Sequence, residues 1–236
     1  MARATPMLIG HRGAPRERPE NTLPSFLRAL ELQADGIELD VHCTSDRVVV
    51  VHHDEIPRAT PPSGRLAGKR IDALTFDELQ GFSVRGLALI STLAEALAVI
   101  KGRADVFIEL KGAAIEQEVI DVIRASVAPE RCAVHSFDHA QVARARARAP
   151  EIRGGILFDR PVSDPVSAMR ASDALDVWPS REHVTATLVR DVQGADGRVI
   201  PWTVNDGAQA VALAAMGVDG LCTDFLPVLR AALRKS

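Results

Sequence analysis

Met7-Leu8-Ile9-Gly10-His11-Arg12-Gly13 is an apolar run that ends on a histidine and a glycine. A strand buried on both faces reads as a continuous hydrophobic run, and in a parallel sheet it hands polar side chains to the loop at its carboxyl end. A second run, Gly36-Ile37-Glu38-Leu39-Asp40-Val41, carries two carboxylates spaced two positions apart. Successive strand residues point to opposite faces, so Glu38 and Asp40 share one face while Ile37, Leu39 and Val41 share the other. Two like charges side by side at the end of an apolar strand are costly without a counter-ion. Oxygen ligands of this kind suit one hard divalent cation, Mg²⁺ or Ca²⁺, with Mn²⁺ also compatible.

Outward from these two runs, strand-like and helix-like patterns alternate, the signal for parallel βαβ units. Strands are expected at 7–10, 36–41, 105–111, 132–136, 153–158, 174–178, 198–203 and 219–223. Helices are expected at 23–32, 93–100, 115–126, 139–147, 165–171, 183–192, 207–216 and 226–234, the first capped by Asn21 or Thr22 with Pro24 in its first turn. Eight strands in this order predict a single (β/α)8 TIM barrel over 1–236. The extended stretch 48–51 follows the turn-like Ser45-Asp46-Arg47. It is read as an excursion that doubles back over the barrel mouth and carries His52 and His53, not as a new barrel strand. Residues 55–90 are a short irregular insertion after the second strand, interrupted by Pro57, Pro61, Pro62, Gly64, Gly68 and Gly86. Arg58, Arg65, Lys69, Arg70 and Arg85 make this stretch basic, within reach of a phosphate or head group if they are not simply solvated.

The composition bounds the function. A chain of 236 residues, 47% hydrophobic, suffices for one barrel and needs no second domain. A formal net charge of −3 supplies no basic field, which argues against nucleic acid as partner. Cys43, Cys132 and Cys222 lie in or beside apolar runs with no paired spacing and read as buried reduced thiols. No stretch matches a secretory h-region or the ~20 apolar residues of a membrane span, so a cytoplasmic protein without stable membrane insertion is expected. The sequence carries no signal for oligomeric state.

The motifs His11-Arg12, Pro19-Glu20-Asn21-Thr22, Glu38-x-Asp40, Thr44-x-Asp46 and His53-Asp54, with His53 fifteen positions after Glu38, come in the order of a known family. So do Glu109-Leu110-Lys111, Ser136-Phe137-Asp138, Trp202-Thr203-Val204-Asn205 and the run from Gly217 to Thr223-Asp224. As a set, spanning nearly the whole chain, they resemble the glycerophosphodiester phosphodiesterase family. The resemblance implies a metal-dependent hydrolase that converts a small glycerophosphodiester to sn-glycerol 3-phosphate and an alcohol. It implies that a glycerol hydroxyl of the substrate is the first nucleophile, giving a cyclic phosphate that water then opens. Two histidines can share the proton transfers such a reaction needs, and His11 and His53 are the pair it implies, His53 over His52 because of the spacing from Glu38. Glu38, Asp40 and Glu109 would hold the cation. Lys111, on the strand face of Glu109, and the fork-shaped guanidinium of Arg12 would take the phosphate. Asn21 at the mouth and Trp202 beside the glycerol complete the implied set.

Taken singly, these residues have plainer readings: His11 as a strand-end histidine, Glu38 and Asp40 as partners of arginines, Glu109 and Lys111 as an ion pair, Asn21 as a turn residue, and Trp202 as core. His42, His135, His139 and His183 are read as structural or surface, with His135 beside Ser136 the foremost exception. The chain departs from the family in Glu55-Ile56-Pro57-Arg58-Ala59-Thr60, which puts head-group preference in doubt. It is also poor in aromatics, 4% with no tyrosine, so an apolar wall must come from Phe82, Phe137, Phe158, Trp178, Trp202 and aliphatic residues. Two rival readings follow. One is a phospholipase D-like enzyme acting on lysophospholipid or sphingolipid; the other is a phosphate-ligand binding protein without turnover.

Overall fold

The computed structural model describes residues 5–57, 64–84 and 86–235. Its frame is a barrel of eight parallel strands: β1 (Met7–Gly10), β2 (Gly36–Cys43), β6 (Asp105–Leu110), β7 (Cys132–Ser136), β8 (Arg153–Phe158), β9 (Asp176–Pro179), β10 (Arg198–Val199) and β11 (Gly220–Thr223). The hydrogen-bonded order runs β10-β9-β8-β7-β6-β2-β1-β11. The seam between its two ends is closed by backbone bonds from Asp219 N to Val199 O at 2.9 Å, Cys222 N to Pro201 O at 3.0 Å and Val204 N to Cys222 O at 2.8 Å. The expected strand at 198–203 shortens to two residues because Pro201 has no N–H to offer the ladder.

Strand alternation sorts the apolar residues into two layers. Ile37, Leu39, Val41, Val106, Ile108 and Leu110 face outward and pack with the helices. Met7, Ile9, Phe107, Leu157, Trp178, Ile200 and Cys222 fill the barrel interior. Burying a side chain such as Ile9 or Phe107 stabilises the fold by about 1.5–3 kcal/mol. The outer helices are α1 (Leu23–Glu31), α3 (Leu93–Ile100), α4 (Glu116–Ala125), α5 (His139–Arg148), α6 (Pro165–Ala171), α7 (Ala186–Gln193), α8 (Gly207–Ala215) and α9 (Leu226–Leu233). Thr22 caps α1, its hydroxyl accepting from Ser25 N. Thr185 does the same for α7 through Leu188 N, so that helix starts later than the expected 183 and a short 3-10 turn, Arg181–His183, precedes it.

The strand β3 (Val49–Val51) pairs antiparallel with the end of β2, Val41 opposite Val51 and Cys43 opposite Val49. It is the excursion expected from Ser45-Asp46-Arg47, outside the barrel circuit. Among the described residues the insertion includes regular elements. It holds a helical turn, α2 (Phe76–Leu79), and a hairpin, β4 (Ser83–Val84) with β5 (Ala88–Leu89). Leu66, Ile71, Leu74, Leu79, Phe82 and Ile90 form a small core of their own around Val50. Phe82 is therefore a structural residue of the insertion, not a wall of the mouth, and Phe158 belongs to the outer layer. Arg70 pairs with Glu55 and Asp72, while Arg58, Arg85 and the side chain of Arg65 lie outside the described residues. The three cysteines are buried and free.

Candidate active site

The β1–α1 loop turns sharply to bring His11 and Arg12 back over the barrel. Gly13 takes φ +91°, and a Cβ there would stand 2.5 Å from Ser25 Oγ, so only glycine fits this close approach. Arg12 and Asn21 both adopt left-handed backbone, φ 56°, and are tied by a 3.1 Å bond from Asn21 N to Arg12 O. The loop's purpose is visible in what its groups reach. Arg12 N donates to Glu38 Oε2 at 3.0 Å, and the Arg12 guanidinium sits 3.1 Å from Asp40 Oδ2 while donating to Glu20 at 2.9 Å.

The ladder places three of the side chains at one level. Asp40 lies opposite Glu109, and Glu109 lies opposite His135, across β2, β6 and β7. All three are buried. Burial, and then the charge of Asp40, push Glu109 up to about 7. For Asp40 burial acts in the same direction, but Arg12 and Lys111 outweigh it and hold the carboxyl below its ordinary value. Lys111 Nζ stands 3.0 Å from Glu109 Oε1, 3.9 Å from Asp40 Oδ1 and 3.2 Å from His53 Nε2.

Each histidine of the expected pair rests on an aspartate. His11 Nδ1 is 2.7 Å from Asp224 Oδ1, and His53 Nδ1 is 2.7 Å from Asp54 Oδ1. Asp224 is itself held by Asn205, whose amide donates to Oδ2 at 2.8 Å and whose carbonyl oxygen accepts from Asp224 N at 2.9 Å. With Nδ1–H on the carboxylate, the Nε2 of each ring is the one left to act. Burial works against charge on His11, yet the Asp224 hydrogen bond and the Glu38 carboxylate together hold it above its ordinary value. His52 is different in kind. Burial depresses it to about 4, and its backbone N–H donates to Asp40 O, a scaffolding contact.

His11, Arg12, Glu38, His53, Glu109 and Lys111 line one cavity of about 140 Å³, with His135, Phe137, Trp178 and Trp202 completing its wall. Phe137 and Trp202 meet edge to face at 5.5 Å, and the indole of Trp202 is fixed by a 3.0 Å bond to Trp178 O. Asn21 takes a supporting place: its amide donates to Asp40 Oδ2 at 2.8 Å and its carbonyl oxygen accepts from Asp40 N at 3.2 Å. A second cleft of about 290 Å³, bordered by Arg70, Glu55 and His42, adjoins it at Lys111.

Whether this site suits a divalent cation can be tested on its donors. Glu38, Glu109 and His135 each offer a ligand atom, all within 4.8 Å of one another. That trio differs from the expected Glu38, Asp40 and Glu109 because Arg12 and Asn21 draw one oxygen of Asp40 toward themselves. Its other oxygen, Oδ1, is buried and accepts no hydrogen bond. Lys111 Nζ comes no nearer to it than 3.9 Å, and an acceptor left without a hydrogen bond in this way costs about 1–3 kcal/mol. Carboxylates crowded at one level, one of them with an unused oxygen, fit a hard cation.

A (β/α)8 barrel with two aspartate-backed histidines, a lysine and an arginine around a carboxylate-lined cavity at the carboxyl ends of its strands defines an acid–base hydrolase site of phosphate-binding character. Residues 11–228 match the profile of the glycerophosphoryl diester phosphodiesterase family, and the chain belongs to that family. It is 32% identical to a glycerophosphodiester phosphodiesterase of Caldanaerobacter subterraneus subsp. tengcongensis over 97% of this chain and 98% of that protein. A glycerophosphodiester phosphodiesterase of Bacillus altitudinis is 31% identical over 92% of this chain and 94% of its own length. Among solved structures, an Oleispira antarctica phosphodiesterase in complex with the product sn-glycerol 3-phosphate superposes with a TM-score of 0.87 at 26% identity, covering 98% of this chain and 97% of that one.

Asp224, Asn205 and Asp54 carry no role in the sequence reading although each stands in a motif. Asp54 had a signal, its adjacency to His53. Asp224 had none, lying 213 positions from His11.

Proposed function

We propose that this chain hydrolyses glycerophosphodiesters to sn-glycerol 3-phosphate and an alcohol, as one domain, with His11 and His53 as general acid and base. The observation that carries the reading is that both histidines, each on its own aspartate, open on the same cavity as Lys111, Arg12 and the carboxylates. The relatives' names, and the sn-glycerol 3-phosphate bound by the Oleispira antarctica structure, support the substrate class.

Glu38, Asp40 and Glu109 would hold a divalent cation, Mg²⁺ or Ca²⁺, which when bound supplies Lewis-acid charge against the phosphate oxygens. Arg12 and Lys111 bring fixed positive charge to the same phosphate, where negative charge grows in the transition state. His11, held protonated to higher pH by Asp224, acts as the acid that meets the leaving alkoxide. His53, whose Nδ1 is committed to Asp54 and whose Nε2 lies beside Lys111, acts as the base toward the attacking hydroxyl. The aromatic corner of Phe137 and Trp202 supports the glycerol carbons. Three buried free thiols fit a reducing compartment, and a cytoplasmic site of action is part of the proposal.

The test is release of glycerol 3-phosphate from a panel of glycerophosphodiesters, with chelator and with Mg²⁺ or Ca²⁺ restored. Product that vanishes with chelator and returns with one ion supports the reading and names the metal; no product with any ion sinks it. A second reading, a lysophospholipid substrate, is favoured by Ile56, Leu87 and Leu89, which expose 40%, 76% and 54% of their surface on the insertion. Faster turnover of lysophosphatidylcholine than of glycerophosphocholine would replace the first reading with this one. The third reading, ligand binding without turnover, is excluded by any cation-dependent hydrolysis that His11→Ala abolishes.

A further inference from the structure

His135 is 2% exposed, and neither of its ring nitrogens has a hydrogen-bond partner. His135 shares its level of the barrel with Glu109 on one side and Gly155 on the other. A Cβ on Gly155 would stand 3.1 Å from His135 Cβ and 3.0 Å from Trp178 Nε1, so a side chain there would press on both neighbours. Trp178 meets the imidazole edge to face at 4.5 Å and leaves it no partner of its own on that side. The free side turns to the cavity, where Nε2 is 3.8 Å from Glu38 Oε1. A buried imidazole that faces Glu38 across the cavity, belongs with Glu38 and Glu109 to one group of ligand atoms within 4.8 Å, and spends neither nitrogen on a hydrogen bond has the placement of a metal ligand.

We propose that His135 supplies a nitrogen ligand to the cation, so that the site offers oxygen from Glu38, Asp40 and Glu109 and nitrogen from His135. This rests on the cation site proposed above and sharpens it. Mg²⁺ and Ca²⁺ gain little from imidazole, whereas first-row transition ions from Mn²⁺ onward gain increasingly. The site therefore discriminates in favour of ions such as Co²⁺ over Mg²⁺, and His135 is the residue that sets the discrimination.

The decisive readout is electron spin-echo modulation of the Mn²⁺-loaded full chain. Nitrogen modulation is expected in the unaltered protein, changing when all seven histidines carry ¹⁵N, persisting in His11→Gln and absent in His135→Gln. Calorimetry on the same proteins should show that His135→Gln weakens Co²⁺ binding by about tenfold or more and Mg²⁺ binding by less than about twofold. Mn²⁺ bound without nitrogen modulation overturns the role of His135 while leaving the cation site standing. Mn²⁺ that gives only the spectrum of the free aqueous ion overturns both. Should His135→Gln fail to fold, nitrogen modulation that persists in both His11→Gln and His53→Gln leaves His135 as the remaining cavity histidine, and modulation lost in either of these overturns its role.

Discussion

The two histidine–aspartate pairs have the same 2.7 Å contact and are built in opposite ways. His53 and Asp54 are chain neighbours on the excursion that follows β3, and their pairing is a local event. His11 and Asp224 are brought together from the two ends of the chain, where β1 lies against β11 in a four-residue register. The distant pair is braced by a third residue. Asn205 holds both the side chain and the backbone of Asp224, and the end of β1 is pinned by His11 N on Thr223 O at 2.9 Å. The local pair leans instead on Lys111 and on His42, whose Nε2 lies 3.0 Å from His53 O. A bond formed between neighbours needs little support, while one formed by barrel closure exists only as well as the closure does.

The largest expected effects come from the histidines themselves. His11→Ala and His53→Ala should each lower kcat by about 10²- to 10⁴-fold in a glycerol 3-phosphate release assay, with an unchanged circular dichroism spectrum. A full rate in His53→Ala together with a lost rate in His52→Ala would show the local pair to be misassigned.

Replacing the aspartates separates the two constructions. Asp224→Asn should cost about 10²-fold, through lost orientation and lost charge, and Asp54→Asn about tenfold, because His53 retains Lys111. The sign of the pH effect follows from the raised value of His11. A general acid works while protonated, so activity falls as pH rises through its folded value. Removing the Asp224 charge lowers that value, and the alkaline limb of kcat/KM should move to lower pH. Asp54→Asn should leave that limb in place; a shift as large in Asp54→Asn would exchange the roles of the two histidines.

Asn205→Ala should give a smaller loss, about three- to tenfold, with the alkaline limb displaced in the direction of Asp224→Asn, since it acts only through that carboxylate. A pH profile identical to the unaltered protein's would reduce Asn205 to a packing residue. The smallest catalytic effect is expected in the insertion. Ile71 is fully buried in the insertion's separate core. Ile71→Ala should lower thermal stability by about 2–4 kcal/mol and leave kcat within about twofold. A large kcat loss at full occupancy of the fold would tie the insertion to the chemistry.

Much of this site was legible before folding. Glu38 and Asp40 share a face of β2 as their spacing required, both within reach of Arg12, and Glu109 near the end of β6 meets Lys111 just beyond it at 3.0 Å. Asn21 shows what motif order leaves open: it precedes the first helix as a mouth residue would, and the left-handed turn at Arg12 and Asn21 brings its amide onto Asp40. His135 shows the converse. Its strand position was plain, but an unpaired imidazole is defined by what surrounds it, and those neighbours come from β2, β6 and β9.

The sequence by itself determined the barrel, its alternation of inward and outward residues, and the pairs that lie within a few positions of one another. Those depend on backbone geometry and local periodicity, which short stretches of chain already possess. Only the tertiary structure decided that Asp224 would seat His11, that Asp40 would keep one oxygen idle, and that His135 would face the carboxylates without a partner. These depend on register across strands and on closure of the circle, where contacts between residues as far apart as 11 and 224 are set by the packing of every unit between them.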